Sequence, residues 1–163
     1  QPELLSELGR MFATAFAGRE IDVIMTVETK GIPLAYATAA CLNLPVVIVR
    51  RDNKVTEGSA VSINYVSGSN KRIQTMSLAR RTLREGSRVL IIDDFMKAGG
   101  TIQGMMDLLG EFNAKVVGVG VFVESGELGT EERLLEDYVS LAKVTAVDLK
   151  SKQTMVIPGN FFK

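Results

Sequence analysis

Two adjacent carboxylates followed by a glycine-rich loop form the most chemically suggestive stretch of the sequence. Residues 89–101 read VLIIDDFMKAGGT, so a run of branched apolar residues leads directly into Asp93 and Asp94. Such a run is typical of a strand buried on both faces of a parallel sheet, and ligands bind at the carboxyl ends of such strands. Neighbouring carboxylates repel each other unless hydroxyl donors or a metal share them, and a ribose diol supplies two donors. We therefore expect Asp93 and Asp94 to hold ribose hydroxyls.

The loop after the aspartates has the composition of a phosphate-binding site. Gly99 and Gly100 let the backbone approach an anion, and free N–H groups, a helix N-terminus and the Thr101 hydroxyl can then hold a phosphate. The alternative is a solvated turn after a core strand. The predicted site residues of this segment are Asp93, Asp94, Phe95, Met96, Lys97, Ala98, Gly99, Gly100 and Thr101.

A second candidate anion loop consists of Thr29, Lys30 and Gly31. It lies between a predicted strand and a predicted helix, at the same edge of the sheet. Gly31 permits a turn, and successive N–H groups before a helix form a nest for an anion. An ordinary strand-to-helix turn is the alternative.

Basic residues are concentrated in the middle of the chain, although the formal net charge is zero. The segment from Arg50 to Arg88 contains nine basic and three acidic residues. A basic band in a neutral chain favours a polyanionic ligand or partner, and a solvated hairpin face is the alternative. The residues assigned to this band and to the segment that the family resemblance described below makes a lid over the site are Arg51, Lys54, Tyr65, Lys71, Arg72, Arg80 and Arg81.

The elements that must position these residues follow an α/β pattern. Apolar residues at helical spacing predict an amphipathic first helix, and the strand–helix–strand order after it predicts a parallel sheet. Alternation of apolar and polar residues around a Ser-Gly-Ser-Asn turn predicts a hairpin. In chain order we expect a helix over 2–15, a strand over 21–27, a helix over 32–42, a strand over 46–49, the hairpin over 58–76 with its turn at 67–70, a strand over 88–92, a helix over 101–111, a strand over 116–123, a short helix over 131–137, and edge strands over 144–156 with a turn near 151.

Composition excludes several function classes. The chain has no histidine, so imidazole metal sites and Ser-His or Cys-His catalysis are excluded. The single cysteine, Cys41, lies in an apolar stretch and is expected to fill the core in a reducing cytoplasm. No apolar run is long enough to span a membrane, so no membrane partner is expected. We expect residues 1–163 to form one domain, and a first residue other than methionine indicates a trimmed chain.

The strand, the acidic pair and the loop ending in Gly-Gly-Thr resemble the 5-phosphoribosyl-1-pyrophosphate (PRPP) motif of type I phosphoribosyltransferases. Within that group the sequence is most similar to the effector domains of purine operon repressors of Gram-positive bacteria, which carry the loop FMKAGGT. The segments TVETKGIPLAYA (26–37), VIVRRDNKVTEGSAVSIN (47–64) and RIQTMSL (72–78) agree with it. The resemblance covers nearly the whole chain.

The resemblance implies a type I phosphoribosyltransferase fold, with a mostly parallel central sheet flanked by helices and a projecting flexible β-hairpin that folds over bound PRPP. It also implies that Thr29, Lys30 and Gly31 hold the pyrophosphate, in a loop that often contains a strained peptide bond, and that Mg²⁺ bridges ligand oxygens. Purine nucleotides with phosphates on the ribose are further candidates for the same pocket.

The same resemblance implies a function in transcription. A winged-helix DNA-binding domain precedes this domain in the repressors, which we expect to be homodimers, and PRPP binding weakens their hold on operator DNA. The basic hairpin is a second candidate contact for DNA. We therefore expect the effector-sensing domain of a repressor of purine biosynthesis genes.

Lys97 distinguishes a sensor from an enzyme. Transferases acting on 6-oxopurines carry an acid at this loop position, whereas a lysine is cationic and accepts no hydrogen bond. Phe95 is also bulky beside the ribose site. We therefore expect PRPP binding without transferase activity. The alternative is a catalytic purine phosphoribosyltransferase of the xanthine or adenine type, since adenine-type enzymes manage without that acid.

Overall fold

The computed structural model describes residues 1–52, 58–67, 72–97, 99–126, 138–148 and 153–163. The predicted short helix over 131–137, most of the hairpin turn and the predicted turn near Ser151 lie outside these residues. Within the described part of the chain, no helix combines the length and the hydropathy needed to cross a membrane.

Three α-helices form where the sequence predicts them, the first from apolar periodicity and the other two from the strand–helix–strand order. Pro2 occupies the first turn of the first helix, where its missing N–H costs nothing. The second helix ends at Leu42, and the next residue, Asn43, has a φ of +55°, the left-handed conformation that stops helices. The helices are α1 (Pro2–Ala15), α2 (Ile32–Leu42) and α3 (Gly100–Glu111).

The described strands form one mixed sheet in the spatial order β3-β4-β2-β1-β5-β6-β7-β8. Its centre, from β2 to β7, is parallel, and antiparallel strands close both sides. The strands are β1 (Val23–Val27), β2 (Val46–Arg51), β3 (Ala60–Val66), β4 (Ile73–Ala79), β5 (Arg88–Met96), β6 (Lys115–Gly126), β7 (Val139–Asp148) and β8 (Gln153–Pro158). This is the predicted mostly parallel sheet.

Helices cover both faces of the sheet and make two hydrophobic cores. On one face, Leu8 and Phe12 of α1 and Leu34 of α2 pack against the even-numbered apolar residues at the centre of β5. On the other, Ile102 and Met105 of α3 join a larger cluster that includes the odd-numbered apolar residues of β5. The central strand is therefore buried on both faces, as its uninterrupted apolar run requires.

The β3–β4 hairpin is attached to the sheet and packed on α3. Strand β4 pairs with the end of β2 through Arg50–Ser77 and Arg51–Met76. A Cβ on Gly104 of α3 would lie 2.8 Å from Tyr65 Cβ, so the helix approaches β3 as closely as only glycine allows. The base of the hairpin is thus part of the core, which the alternating sequence pattern did not reveal.

Two sequence predictions need correction. Strand β5 does not end at Ile92 but continues through the acidic pair to Met96, because β6 pairs with it as far as Met96–Glu124. Phe95 therefore belongs to a strand and not to a loop. Cys41 is exposed and does not fill the core, because it lies on the side of α2 that faces away from the sheet.

Replacement of Gly104 by alanine should destabilise the hairpin. The added Cβ would meet both Tyr65 Cβ at 2.8 Å and Met76 Cε at 3.0 Å, so we expect a loss of about 1–3 kcal/mol in the free energy of unfolding. Urea unfolding measures the change.

Gly110→Ala in the same helix is the matched control for that measurement. Among the described residues, a Cβ at this position would meet no atom within 4 Å apart from its chain neighbours and the backbone of its own helix. This variant should stabilise the fold by up to about 1 kcal/mol, because alanine favours a helix more than glycine does. Equal effects of the two substitutions would contradict the packing argument.

Candidate functional site

A cavity of about 230 Å³ opens at the carboxyl edge of the parallel strands. The ends of β2 and β5, the loop after β1, the start of α3 and the residue that follows β3 all contribute to its wall. The lining residues are Lys30, Arg51, Ser67, Asp93, Asp94, Phe95, Met96, Lys97, Gly99, Gly100, Thr101 and Ile102. Two distant sequence segments singled out for ligand chemistry, the acidic strand with its loop and the loop after β1, therefore meet around one cavity.

The structure separates the predicted lid and band residues. Arg51 lines the cavity, and Tyr65 is buried close to it on β3. Arg72 is exposed just before β4 and does not line the cavity. Arg80 and Arg81 lie beyond the other end of β4, which runs antiparallel to β2 and so leads away from the cavity edge. Lys54, Lys71 and Ala98 lie outside the described residues.

Ser67 and Ile102 line the cavity but were not among the predicted site residues. Ser67 is buried just after β3, where its N–H donates to the carbonyl of Arg72 at 3.0 Å across the base of the turn. Ile102 is a core residue of α3 that also lines the cavity. Neither carries a sequence signal, because only the packing of the hairpin and α3 brings them to the site.

The two aspartates occupy different environments. Asp93 is 5% exposed, and its Oδ1 accepts the backbone N–H of Asp94 at 2.8 Å. Burial, and then the neighbouring Asp94, raise the pKa of the Asp93 carboxyl from its ordinary 3.8 to about 8, while the charge of Arg51 opposes the shift. Asp94 is half-buried and faces the cavity. The pair thus combines a carboxyl that favours its protonated form with a second acceptor.

The loop after β1 is held firmly to the end of β2. The backbone N–H of Arg51 donates to Glu28 Oε1 at 2.8 Å, and Arg51 Nε donates to the Glu28 carbonyl at 2.9 Å. The peptide bond between Glu28 and Thr29 is cis. Lys30 lines the cavity, and Thr29 beside it is exposed.

Gly31 fits where no other residue would. A Cβ at this position would lie 2.5 Å from Thr26 Oγ1 and 3.1 Å from Asp93 Oδ1. The backbone of the loop therefore approaches the Asp93 carboxyl directly. Space explains the glycine at this position, since its φ of −75° is open to any residue.

The N-terminus of α3 opens into the cavity. Gly99 has a φ of +91°, which favours glycine, and its carbonyl accepts the N–H of Gln103 at 2.8 Å. Gly100 and Thr101 follow in the first turn and line the cavity. The free N–H groups and the dipole of a helix start favour an anion, so the phosphate-binding role of this loop stays a prediction.

A metal ion in the cavity would need coordinating oxygens from the ligand as well as from the protein. Among the described residues, no group of three Cys, Asp or Glu side chains is placed to hold a metal ion. Asp93 and Asp94 are the carboxylates in the cavity wall. Two carboxylates suit a hard cation such as Mg²⁺ only when phosphate, hydroxyl or water oxygens complete its six ligands.

The sheet order and a cavity between the acidic strand, a glycine loop and a helix start define a type I phosphoribosyltransferase fold. The chain belongs to the phosphoribosyl transferase domain family, which matches residues 1–153.

Three comparisons specify the likeness further. The chain is 63% identical over 163 residues to the "Purine biosynthesis transcriptional repressor PurR" of Bacillus subtilis (strain 168), covering 100% of this chain and 56% of that protein. It is 46% identical to the "Purine biosynthesis transcriptional activator PurR" of Lactococcus lactis subsp. lactis (strain IL1403), covering 99% of this chain and 59% of that protein. The crystal structure of adenine phosphoribosyltransferase from Thermoanaerobacter pseudethanolicus matches with a TM-score of 0.76 and 25% identity, covering 86% of this chain and 81% of that one. The chain thus spans less than two thirds of the regulators' length.

The raised pKa of Asp93 makes stability depend on pH. Between about pH 4 and 8 the unfolded chain ionises Asp93 while the fold keeps the proton, so this group's contribution to stability is complete below pH 4 and is lost as the pH rises. Asp93→Asn should therefore stabilise the ligand-free protein at pH 8 by at least about 1 kcal/mol, which corresponds to a rise in Tm of at least about 2–4 °C. At pH 4 the Tm should be unchanged.

Asp107→Asn, at an exposed position of α3, is the control for that measurement. Calorimetric melting curves at both pH values decide the outcome. An equal shift for Asp93→Asn at pH 4 and pH 8 would mean that the buried carboxyl is not the cause.

Proposed function

We propose that this domain binds PRPP as an effector and regulates genes of purine biosynthesis without transferring the ribosyl group. The observation that carries the proposal is the single cavity in which two carboxylates, a helix N-terminus and a basic anion loop meet. A ribose with phosphates at both ends is the ligand whose chemistry matches this set. Its hydroxyls are donors for the carboxylates, and its two phosphate groups suit the helix N-terminus and the anion loop.

Each part of PRPP has a partner among the cavity residues. Asp93 and Asp94 accept hydrogen bonds from the ribose hydroxyls. The backbone of Gly99 to Thr101, at the start of α3, takes the 5-phosphate. Lys30 and Arg51 face the 1-pyrophosphate, and a cation about 4 Å from a phosphate contributes on the order of 4 kcal/mol at an effective dielectric near 20. Mg²⁺ enters with the ligand, and its role is to neutralise pyrophosphate charge.

Lys97 favours a sensor over an enzyme. It lies in the wall of the cavity, at the loop position where resembling oxopurine transferases carry an acid. An ammonium group cannot accept a proton from a purine, so this chain lacks that general base. A transferase of the adenine or xanthine type is the second candidate, and the structural likeness to an adenine phosphoribosyltransferase is the observation that favours it.

The regulatory proposal follows from the relatives. Their names describe regulators of purine biosynthesis, one a repressor and one an activator. Repression is the function that the 63% identical relative favours. We propose that a DNA-binding domain outside this chain contacts the operator, that the protein is a homodimer in the cytoplasm, and that PRPP changes DNA affinity through a coupling of about 1–3 kcal/mol. The hairpin remains a candidate second contact for DNA.

Loss of a ribose acceptor should abolish effector binding and spare the fold. We expect Asp94→Ala to weaken PRPP binding by roughly 100-fold or more, because two hydrogen bonds to a charged acceptor contribute about 1.5–3 kcal/mol each. Titration calorimetry with PRPP and Mg²⁺ measures the affinity, and Asp107→Ala outside the cavity is the control.

The same samples, mixed with adenine, guanine, hypoxanthine or xanthine, test for nucleotide formation. We expect none. Rapid nucleotide synthesis by the unchanged protein would establish the transferase instead. If Asp94→Ala does not fold, Asp94→Asn replaces it in the binding measurement.

Purine nucleotides carrying phosphates on the ribose should compete for the same cavity. Phe95 lines the cavity and is 46% exposed, so its ring is available to a purine. Displacement of labelled PRPP by adenine and guanine nucleotides at millimolar concentration should occur, and Phe95→Ala should weaken the competitors more than PRPP, which has no base. Equal losses for PRPP and the nucleotides would exclude stacking on Phe95.

A further inference from the structure

A chain of hydrogen bonds joins the cavity wall to the β3–β4 hairpin. Arg51 lines the cavity, and its Nη1 donates to Gln74 Oε1 at 3.4 Å. The same Gln74 oxygen accepts the Tyr65 hydroxyl at 2.9 Å. On its other side, Arg51 Nε donates to the carbonyl of Glu28 at 2.9 Å. One guanidinium therefore contacts the residue before the anion loop, the cavity and the hairpin.

The hairpin end of this chain of hydrogen bonds is well packed. Tyr65 is 5% exposed and stands directly opposite Gln74 in the β3–β4 ladder. Its ring lies against Gly104 of α3, so the hydroxyl is fixed by packing as well as by Gln74. Burial raises the pKa of the Tyr65 hydroxyl, which is therefore a neutral donor at physiological pH.

The chemistry of Gln74 suits a group that orients Arg51 without neutralising it. A guanidinium has five N–H donors in a fixed fork. Within the described part of the chain, Glu28 and Gln74 take two of them, so other donors of the fork are available to phosphate oxygens. A neutral amide leaves the positive charge intact, whereas a carboxylate at this position would form an ion pair and compete with an anionic ligand.

We propose that Gln74 is a positioning residue that sets the Arg51 guanidinium for the pyrophosphate and transmits occupancy of the cavity to the hairpin. The inference rests on the proposed function, since it takes PRPP as the ligand. Phosphate oxygens of the ligand immobilise Arg51, and the immobilised Arg51 makes a stronger hydrogen bond to Gln74. Gln74 then holds Tyr65, so that β3 and β4 stay paired. Ligand binding thereby lowers the frequency of local opening in the hairpin.

The central experiment uses the full-length protein with the substitution Gln74→Met, which keeps the side-chain volume and removes the acceptor. We expect PRPP with Mg²⁺ to bind about 3–10-fold more weakly, because Arg51 loses its preorganised orientation. Hydrogen exchange measures transmission: PRPP should slow exchange of the β3 and β4 amides in the unchanged protein, and that slowing should fall to less than about half in the variant.

Three further variants separate positioning from transmission. Tyr65→Phe removes only the last link, so the affinity should change less than about twofold while the ligand-dependent slowing is lost. Gln74→Glu should weaken binding more than Gln74→Met, because its carboxylate pairs with Arg51. Thr75→Val is the matched control, since Thr75 Oγ1 donates to Asn64 Oδ1 at 3.1 Å on the neighbouring rung without contacting Arg51. It should retain both the affinity and the ligand-dependent slowing.

The outcomes distinguish this inference from the proposed function. If the unchanged protein binds no PRPP, the proposed function fails and this inference fails with it. If PRPP binds, and Gln74→Met shows the same affinity and the same slowing as the unchanged protein, only the role of Gln74 is overturned. Loss of the slowing in Thr75→Val as well would assign the effect to general weakening of the hairpin and overturn transmission through Gln74.

Discussion

Burial of the Asp93 carboxyl beside Asp94 constrains every other part of the site. A carboxyl that is 5% exposed next to a second carboxylate is unfavourable as an ion, and its pKa rises accordingly. The nearby charge of Arg51 and the backbone N–H of Asp94 offset part of that cost. The wall of the cavity therefore combines a carboxyl that favours its protonated form with a second carboxyl and with Arg51.

The fold supplies the means to hold this arrangement in place. Strand β5 is packed by α1 and α2 on one face and by α3 on the other, so the acidic pair lies within a strand that is covered on both faces. The close approach of Gly31 to Asp93 and of α3 to Tyr65 brings the anion loop and the hairpin to the same cavity. Arg51 then links these pieces through hydrogen bonds to Glu28 and Gln74.

A sensor built on a transferase fold requires little change in the binding site. In the proposed function, the anion loop, the carboxylates and the helix start bind ribose and phosphate, and Lys97 occupies the separate position where oxopurine transferases carry an acid. A ligand that binds one conformation more tightly than another shifts the equilibrium between them, and the proposed regulation requires no more of PRPP than this. The related regulators include both a repressor and an activator.

The secondary-structure elements of this protein, and the residue types at each loop, are set by residues that are close together in the sequence. Apolar periodicity predicted the first helix, and the strand–helix–strand order predicted the other two described helices. The anion site expected after Asp93 stays a prediction. The extension of β5 to Met96, the exposure of Cys41 and the separation of Arg80 and Arg81 from the cavity depend instead on strand pairing and helix orientation. The same holds for Ser67 and for the contacts of Gln74, since hydrogen bonds between residues distant in sequence exist only after the hairpin has joined the sheet.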